Sequence, residues 1–238
     1  MADPPLAGRR IVVTRPREQA EALAGMLERL GATALVLPFV EIRPGEDLER
    51  IASTTGYDWI VFTSANSVAA AGPRVTGGEA RVAAVGPATA DAVRTLGLEP
   101  AFVPDRYAAD EIASGLEPLP GSRVLLPQAD LADPALATEL RARGATVEVV
   151  TAYRTVEVER TSAELANLRA ADAVVLMSGS AARSLARQGG AGDALVVCIG
   201  PKTAAVAGEV GLKVGLVARE ATSEGIIHAL TSHFGENE

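Results

Sequence analysis

Short apolar runs alternate along the chain with longer segments in which apolar residues recur at helical spacing. The runs "RIVVT", "DWIVFT", "VAAV" and "RVLLP" are four to six residues long and contain β-branched side chains, as is typical of buried strands. The segment "EQAEALAGMLERLG" is typical of an amphipathic helix, and it ends in Gly31, where a glycine commonly terminates a helix. Because strands and helices alternate, the pattern predicts a parallel, doubly wound α/β sheet with right-handed crossovers.

The same pattern occurs twice in the chain. Gly86 in "AAVGPATADAVRTLGLEP" aligns with Gly200 in "VCIGPKTAAVAGEVGLKV", 114 residues later. At the same offset "DWIVFTSANSVAAA" pairs with "DAVVLMSGSAARSL", and "VPDRYAADEIASGL" pairs with "VAREATSEGIIHAL". "RIVVTRPREQ" matches "RVLLPQADLA" at an offset of 113, and a loop can absorb the slip of one residue. We therefore expect two similar doubly wound parallel-sheet domains, flavodoxin- or Rossmann-like, that arose by internal duplication.

Two segments fall outside the repeat, and both begin with an extended stretch. Residues 38–57 begin with "PFVEIRP", and residues 151–171 begin with "TAYRTVEV". Because both segments follow equivalent strands, they are candidates for a paired crossing between the domains. The sequence leaves two arrangements open: two sequential halves, or a chain that crosses twice and forms one continuous and one split domain.

Composition narrows the class of protein. The chain has 22 basic and 30 acidic residues, a net charge of −8, which argues against general binding to nucleic acid or to an anionic membrane. Cys198 is the only cysteine, so an internal disulfide is excluded; we expect it in the core of a protein from a reducing cytoplasm. No secretory signal and no membrane span are apparent, and we expect a soluble, cytoplasmic protein.

The turns "AVGPAT" and "CIGPKT" are the strongest candidates for a ligand site. In a doubly wound sheet, ligands bind beyond the carboxyl ends of the strands, where helix N-termini favour anions. A glycine there lets a ligand approach the backbone, a threonine can donate a hydrogen bond, and Lys202 adds a positive charge to the second turn. The turns "FTSANS" and "LMSGSA" adjoin them. The alternative interpretation is ordinary helix capping by Gly, Pro, Ser and Thr. The residues expected to bind substrate are Arg15, Ser64, Ala65, Asn66, Gly86, Pro87, Thr89, Ser178, Gly179, Ser180, Gly200, Lys202 and Thr203.

Several common kinds of site are absent from the sequence. No G-x-G-x-x-G follows a strand and no G-x-x-x-x-G-K-[ST] occurs, so neither a dinucleotide nor a nucleotide phosphate site is indicated. His228 and His233 have no companion ligands for a metal, and the serines have no histidine partner for a nucleophilic triad. We therefore expect a cofactor-free cleft, without metal, lined by hydroxyl and amide groups.

The motifs together resemble the uroporphyrinogen-III synthase family. They are "VTRP", "VFTSANSV", "AVGPATA", "TAYRT", "VLMSGSA", "CIGPKTA" and "TSEGI", spread over nearly the whole chain. The resemblance implies two α/β domains joined by a two-stranded ladder, and it favours the crossed arrangement. Residues 1–38 with 156–238 would form the split domain and residues 41–150 the continuous one. Linker strands would lie at about 38–44 and 150–156.

The resemblance also implies an activity: a lyase that cyclises hydroxymethylbilane to uroporphyrinogen III, with loss of water and inversion of the last pyrrole ring. The electron-rich pyrroles drive this chemistry, so the protein acts mainly by orienting its substrate. By the resemblance, Tyr153 of "TAYRT" is the catalytic candidate. A tyrosine, whose pKa is ordinarily near 10, stays protonated and can hydrogen-bond the departing hydroxyl. The alternative role is a linker tyrosine that packs against a domain.

The expected ligand is an octacarboxylate, which suits rims of backbone N–H groups and hydroxyls; Arg15 is a further carboxylate partner. A monomer is expected, and the preceding hydroxymethylbilane synthase is a candidate partner. The main rival is a non-catalytic cytoplasmic module that binds or senses a small anion or a tetrapyrrole with the same two-lobed fold.

Overall fold

Two five-stranded sheets form the framework of the chain. The computed structural model describes residues 4–51, 55–75, 78–106, 109–117 and 119–235, so positions 107 and 108 of the predicted repeat lie outside it. The described residues divide into two compact units, which we call unit 1, Met1–Glu41 with Val156–Glu238, and unit 2, Ile42–Thr155. The backbone therefore passes from one unit to the other twice.

The strands and helices follow one another in the predicted alternation. The strands are β1 (Arg10–Val13), β2 (Thr33–Val36), β3 (Val40–Pro44), β4 (Trp59–Phe62), β5 (Arg81–Ala84), β6 (Arg123–Ala129), β7 (Thr146–Glu157), β8 (Ala173–Leu176), β9 (Leu195–Cys198) and β10 (Val214–Val217). The helices are α1 (Arg17–Arg29), α2 (Ala65–Val75), α3 (Pro87–Thr95), α4 (Ala109–Gly115), α5 (Ala135–Ala142), α6 (Ser162–Arg169), α7 (Gly179–Arg187), α8 (Pro201–Glu209) and α9 (Ser223–Gly235), with a short 3₁₀ turn at Leu48–Arg50.

The two sheets share one spatial order. The sheet of unit 1 runs β2-β1-β8-β9-β10 with parallel pairing, the 2-1-3-4-5 order of flavodoxin-like folds. In unit 2 the equivalent strands run β7-β6-β4-β5, and a single bridge between Ala83 and Phe102 takes the place of β10. Strands β1 and β2 pair Arg10 with Thr33, and β6 and β7 pair Arg123 with Thr146, so even the register repeats. The predicted α/β class with parallel sheets is confirmed.

Strand β3 adds a different pairing at the edge of the second sheet, beside β7. Phe39 O accepts from Val158 N at 3.1 Å, while Gly45 N donates to Ala152 O at 2.9 Å. As residue numbers increase along the first segment, the numbers of the paired residues decrease, so this pairing is antiparallel. The segment predicted as the second linker strand, about 150–156, lies within β7, which continues without interruption from Thr146 to Glu157.

Both faces of each sheet are covered by apolar clusters, which is why β4 and β8 are buried along their whole length. Small side chains allow close packing: Gly115 of α4 lies against the ring of Phe102, where a Cβ atom would overlap the ring. Cys198 is fully buried, and this burial raises the pKa of its thiol to about 11, as expected for a core cysteine. No helix within the described ranges is both long and apolar enough to span a membrane.

Candidate functional site

Each sheet has a switch point, where the chain connections leave in opposite directions from two neighbouring parallel strands. In unit 1 it lies between β1 and β8, and in unit 2 between β6 and β4. Helix N-termini follow the carboxyl ends of these strands, and ligands of doubly wound sheets bind at such points. We call the carboxyl ends of the parallel strands, with the turns that follow them, the rim of each unit.

The rim of unit 2 joins Tyr153 to Ser64. Ala129, the last residue of β6, pairs with Tyr153 of β7, and Ser64 lies just beyond the end of β4. The tyrosine side chain therefore extends past the end of β6, and its hydroxyl lies 3.1 Å from Ser64 Oγ. Tyr153 is 8% exposed, with its ring in an apolar cluster of unit 2.

Ser64 is fixed by the first turn of α2. Ser67 N donates to Ser64 Oγ at 3.1 Å, and Ser67 Oγ donates to Ser64 O at 2.7 Å. Ser64 Oγ thus already accepts one hydrogen bond, and either hydroxyl can be the donor between it and Tyr153. When Ser64 donates, the phenol proton of Tyr153 is free for another acceptor. This arrangement can present a proton donor at the switch point.

Sequence reasoning named Tyr153 and Ser64 but missed Ser67, which is completely buried. The spacing "SANS" carried the signal, because a serine three residues after a helix N-cap residue is well placed to exchange hydrogen bonds with it. Beside it, Ala65 is exposed and Asn66 is half-buried, both in the first turn of α2.

The Gly-Pro turn of unit 2 presents backbone rather than a side chain. Gly86 is the N-cap of α3 with φ 106°, a conformation that favours glycine, and Pro87 is the first helical residue. Thr89 is only 4% exposed, and its Oγ1 lies 3.4 Å from Val85 O, to which it donates. Its hydroxyl faces the protein, so a ligand at this turn would meet the backbone of the helix N-terminus.

The rim of unit 1 begins with a serine cap. Ser178 is the N-cap of α7 and accepts from Ala181 N at 3.2 Å, while its Oγ lies 3.1 Å from Ser180 Oγ. A Cβ atom on Gly179 would come within 3.1 Å of the Val206 side chain, so this glycine allows α7 to pack closely on α8. When the offset of 113 residues is extended past the repeat, Tyr153 corresponds to Val40, so this rim has no counterpart of that tyrosine at the same position.

The second Gly-Pro turn differs from the first in geometry and charge. Gly200, the N-cap of α8, has φ 180°, which is extended backbone that any residue adopts. Pro201 is the first helical residue, Lys202 is exposed, and Thr203 is 7% exposed. The structure therefore places the predicted positive charge beside a turn whose glycine is not required by the backbone.

Thr14 and Arg15 directly follow β1 at the switch point of unit 1. Arg15 is half-buried, its Nη2 donates to Gln19 Oε1 at 3.1 Å, and burial lowers the pKa of its guanidinium. Thr14, which sequence reasoning missed, is fully buried and donates through Oγ1 to Val175 O at 2.7 Å. Thr14 thereby ties β1 to β8, and no motif in the sequence signals that role.

No cluster of three His, Cys, Asp or Glu side chains suited to a metal ion occurs in the part of the chain that is described. His228 is exposed on α9, and His233 stacks edge-on against Phe234 at 5.0 Å between ring centroids. What the rims offer is hydroxyl groups, helix N-termini and basic side chains.

The family model "Uroporphyrinogen-III synthase HemD" matches residues 21–228. A uroporphyrinogen-III synthase from Synechococcus elongatus is 30% identical over 64% of the chain and 63% of its own length. A putative uroporphyrinogen-III synthase from Methanocaldococcus jannaschii is 26% identical over 93% of the chain and 97% of its own length. The chain thus spans slightly less than two-thirds of the first of these relatives.

The fold is similar to that of a solved structure of a mutant uroporphyrinogen III synthase from the extremely thermophilic bacterium Thermus thermophilus. The TM-score is 0.64 at 19% identity, with 97% of the chain and 100% of the solved chain covered. At this identity the likeness concerns the fold.

Proposed function

Because the chain belongs to the uroporphyrinogen-III synthase family, we propose that it cyclises hydroxymethylbilane to uroporphyrinogen III with release of water, as a lyase. The linear substrate must close so that the substituted position of its last pyrrole, and not the free one, forms the new bond. Orientation of the reacting groups is the main contribution that such a reaction asks of the protein.

The observation that carries the proposal at the level of residues is the hydrogen bond between Tyr153 and Ser64. It places a phenol at the switch point of unit 2, held by a serine that a helix cap fixes in turn. A phenol held in this way can donate its proton to a departing hydroxyl. We assign Tyr153 as the proton donor and Ser64 as the residue that orients it.

The proposed steps balance without a further reactant. The pyrrole nitrogen next to the hydroxymethyl group supplies electrons as the carbon–oxygen bond breaks, and the hydroxyl leaves as water with the proton of Tyr153. The substituted α-carbon of the last pyrrole attacks the resulting azafulvene cation, which forms a carbon–carbon bond and a spiro centre at that carbon. The older bond from this carbon to the methylene of the neighbouring pyrrole then breaks, which leaves a second azafulvene cation on that neighbour. The free α-carbon of the now inverted ring attacks this cation and closes the macrocycle. When the pyrroles regain aromaticity they release a proton, which restores the phenol.

Binding of the carboxylates is assigned to the rims. The turns at Gly86 and Gly200 offer backbone N–H groups and the positive ends of α3 and α8. Ser178 and Ser180 add hydroxyls, and Lys202 adds a charge. These groups suit an octacarboxylate.

The test is to supply hydroxymethylbilane and separate the product isomers. Without a catalyst the substrate closes to the type I isomer. We expect the type III fraction to rise with the amount of added protein. A product that remains type I at every protein concentration would reject the activity and would leave a binding or sensing role for the same fold.

A further inference from the structure

Five basic side chains stand at the rim of unit 1, and we call them the rim cations. Arg15 and Arg17 follow β1, Lys202 lies in the first turn of α8, and Arg219 follows β10. Arg183 lies in the second turn of α7 and is exposed. Side chains of a helix lean toward its N-terminus, and the N-terminus of α7 lies at this rim, so we count Arg183 with the rim.

None of the rim cations forms an ion pair with a carboxylate of the described chain. Arg15 donates to the neutral amide of Gln19, and the other four are exposed. The ion pairs found within unit 1 use other residues: Arg9 with Asp172, Arg160 with Glu164, and Arg187 with Glu157. These carboxylates of unit 1 therefore pair with arginines outside the rim. The rim cations are left without a neutralising partner.

The duplication provides an internal control for this pattern. Every position of unit 2 that is equivalent to a rim cation carries a neutral or acidic residue. Arg15 and Arg17 correspond to Gln128 and Asp130 at the offset of 113 residues. Arg183, Lys202 and Arg219 correspond to Ala69, Ala88 and Asp105 at the offset of 114 residues. Arg106, which lies beside Asp105 on the rim of unit 2, pairs with Glu111 at 3.0 Å. Since both units have the same strand order, the fold itself does not require the cations.

The positions of two rim cations in their helices also argue that these cations do not stabilise the fold. Arg17 and Lys202 lie in the first turns of α1 and α8, where a positive charge opposes the helix dipole. Four acidic residues share the rim, Glu18, Glu21, Glu220 and Glu224, and all four are exposed. Cations exceed carboxylates here, and none of these carboxylates lies within ion-pair distance of a rim cation.

The rim cations lie on a small surface. The strands β1, β8, β9 and β10 are consecutive neighbours, and adjacent strands are about 4.8 Å apart, so their ends span about 15 Å. The turns also touch, since a Cβ atom on Gly200 would lie 3.7 Å from Ala221 Cβ in the loop that carries Arg219. A ligand with several carboxylates can therefore contact several of these cations at once.

We propose that the rim of unit 1 is the charge-bearing carboxylate site of the protein, and that Arg183 and Arg219 bind carboxylates together with Lys202. The identity of the ligand rests on the proposed function. The two copies of the fold have then diverged: unit 1 binds the carboxylates of the substrate by charge, and unit 2 carries the proton donor.

The test measures binding of uroporphyrin, a fluorescent octacarboxylate, at a series of salt concentrations. The variants are Arg183→Gln, Lys202→Gln and Arg219→Gln, singly and combined. Lys213→Gln and Arg29→Gln are matched controls, because both residues belong to unit 1, form no ion pair in the described chain and lie away from the rim. Thermal unfolding of each variant verifies that the surface changes leave the fold intact.

Each single rim change should raise the Kd about two- to fivefold, as for exposed charge pairs, and the triple change about tenfold or more. The dependence of Kd on salt should become shallower in the triple variant, because fewer charge contacts remain to be screened. The controls should bind as the wild type does.

A triple variant with wild-type affinity and salt dependence would overturn the proposal, as would a wild-type protein that does not bind uroporphyrin. Binding that depends on the cations, in a protein that makes no type III isomer, would retain this site and reject the proposed activity.

Discussion

Replacing Tyr153 by phenylalanine tests whether this tyrosine takes part in catalysis or only stabilises the fold. The change removes a single hydroxyl whose partner is Ser64 Oγ at 3.1 Å, and the ring stays in its apolar cluster. Loss of one neutral hydrogen bond costs about 1 kcal/mol, which lowers the Tm of a chain this size by about 2–4 °C. Ser64 keeps its hydrogen bond from Ser67, so no helix cap is lost.

If Tyr153 donates the proton, the same substitution should slow type III formation by about 100-fold or more, the usual contribution of a general acid. A loss of about 1 kcal/mol leaves the protein folded and cannot produce that effect. The assay is the initial rate of type III formation per folded molecule, with unfolding followed in parallel.

Tyr57→Phe is the matched control for this experiment. Tyr57 donates to Glu148 Oε2 at 2.5 Å and lies just before β4, at the amino end of the strands of the same sheet. A hydrogen bond to a carboxylate contributes about 1.5–3 kcal/mol, so the control should be the less stable variant and yet keep its rate. A Tyr153→Phe variant that forms the type III isomer at the wild-type rate would refute the assigned role.

Three further predictions concern glycines and the cysteine. Gly200→Ala should fold with nearly wild-type stability but bind uroporphyrin more weakly. Gly86→Ala should lower the free energy of unfolding by about 1–2 kcal/mol, because the φ of 106° at this position disfavours a side chain. Thermal unfolding measures the stability of both variants, and fluorescence titration measures their binding. Gly115→Ala should cost about 1–3 kcal/mol by overpacking, while Gly208→Ala, in open space on α8, should stabilise by about 0.5–1 kcal/mol in denaturant unfolding. Cys198, whose pKa is about 11, should react with a thiol reagent at pH 8 only after unfolding. Because burial raises this pKa, the stability that the protonated thiol contributes should be lost as pH rises from about 9 to 11. Rapid labelling of the native protein would contradict this.

Much of the fold could be predicted because the signals were local. The alternation of strand and helix patterns depends on side-chain periodicity, which the buried β4 and β8 and the helix α1 obey directly. Duplication was visible because equivalent strands must keep equivalent apolar residues. The continuation of β7 through the expected linker was not visible, since an extended sequence does not reveal where one pairing partner replaces another.

The candidate site was predictable by residue type but not by orientation. The motifs placed Thr89 at a ligand turn, yet its hydroxyl donates to Val85 O, because a side chain on the inner face of a helix can satisfy a nearby carbonyl. The contact between Tyr153 and Ser64 joins residues 89 positions apart, and the pairing of β6 with both β4 and β7 brings them together. The charge of the unit 1 rim could be noticed only after the ion pairs of the other arginines were known.

Steady-state kinetics on two variants tests the central claim, that the two copies of one fold have taken different roles. The measurement compares kcat and KM for type III formation in Tyr153→Phe and in the combined Arg183→Gln, Arg219→Gln variant. The account predicts a lower kcat with nearly unchanged KM for the first, and a higher, salt-sensitive KM with nearly unchanged kcat for the second. Variants that change the same parameter by similar factors would contradict it.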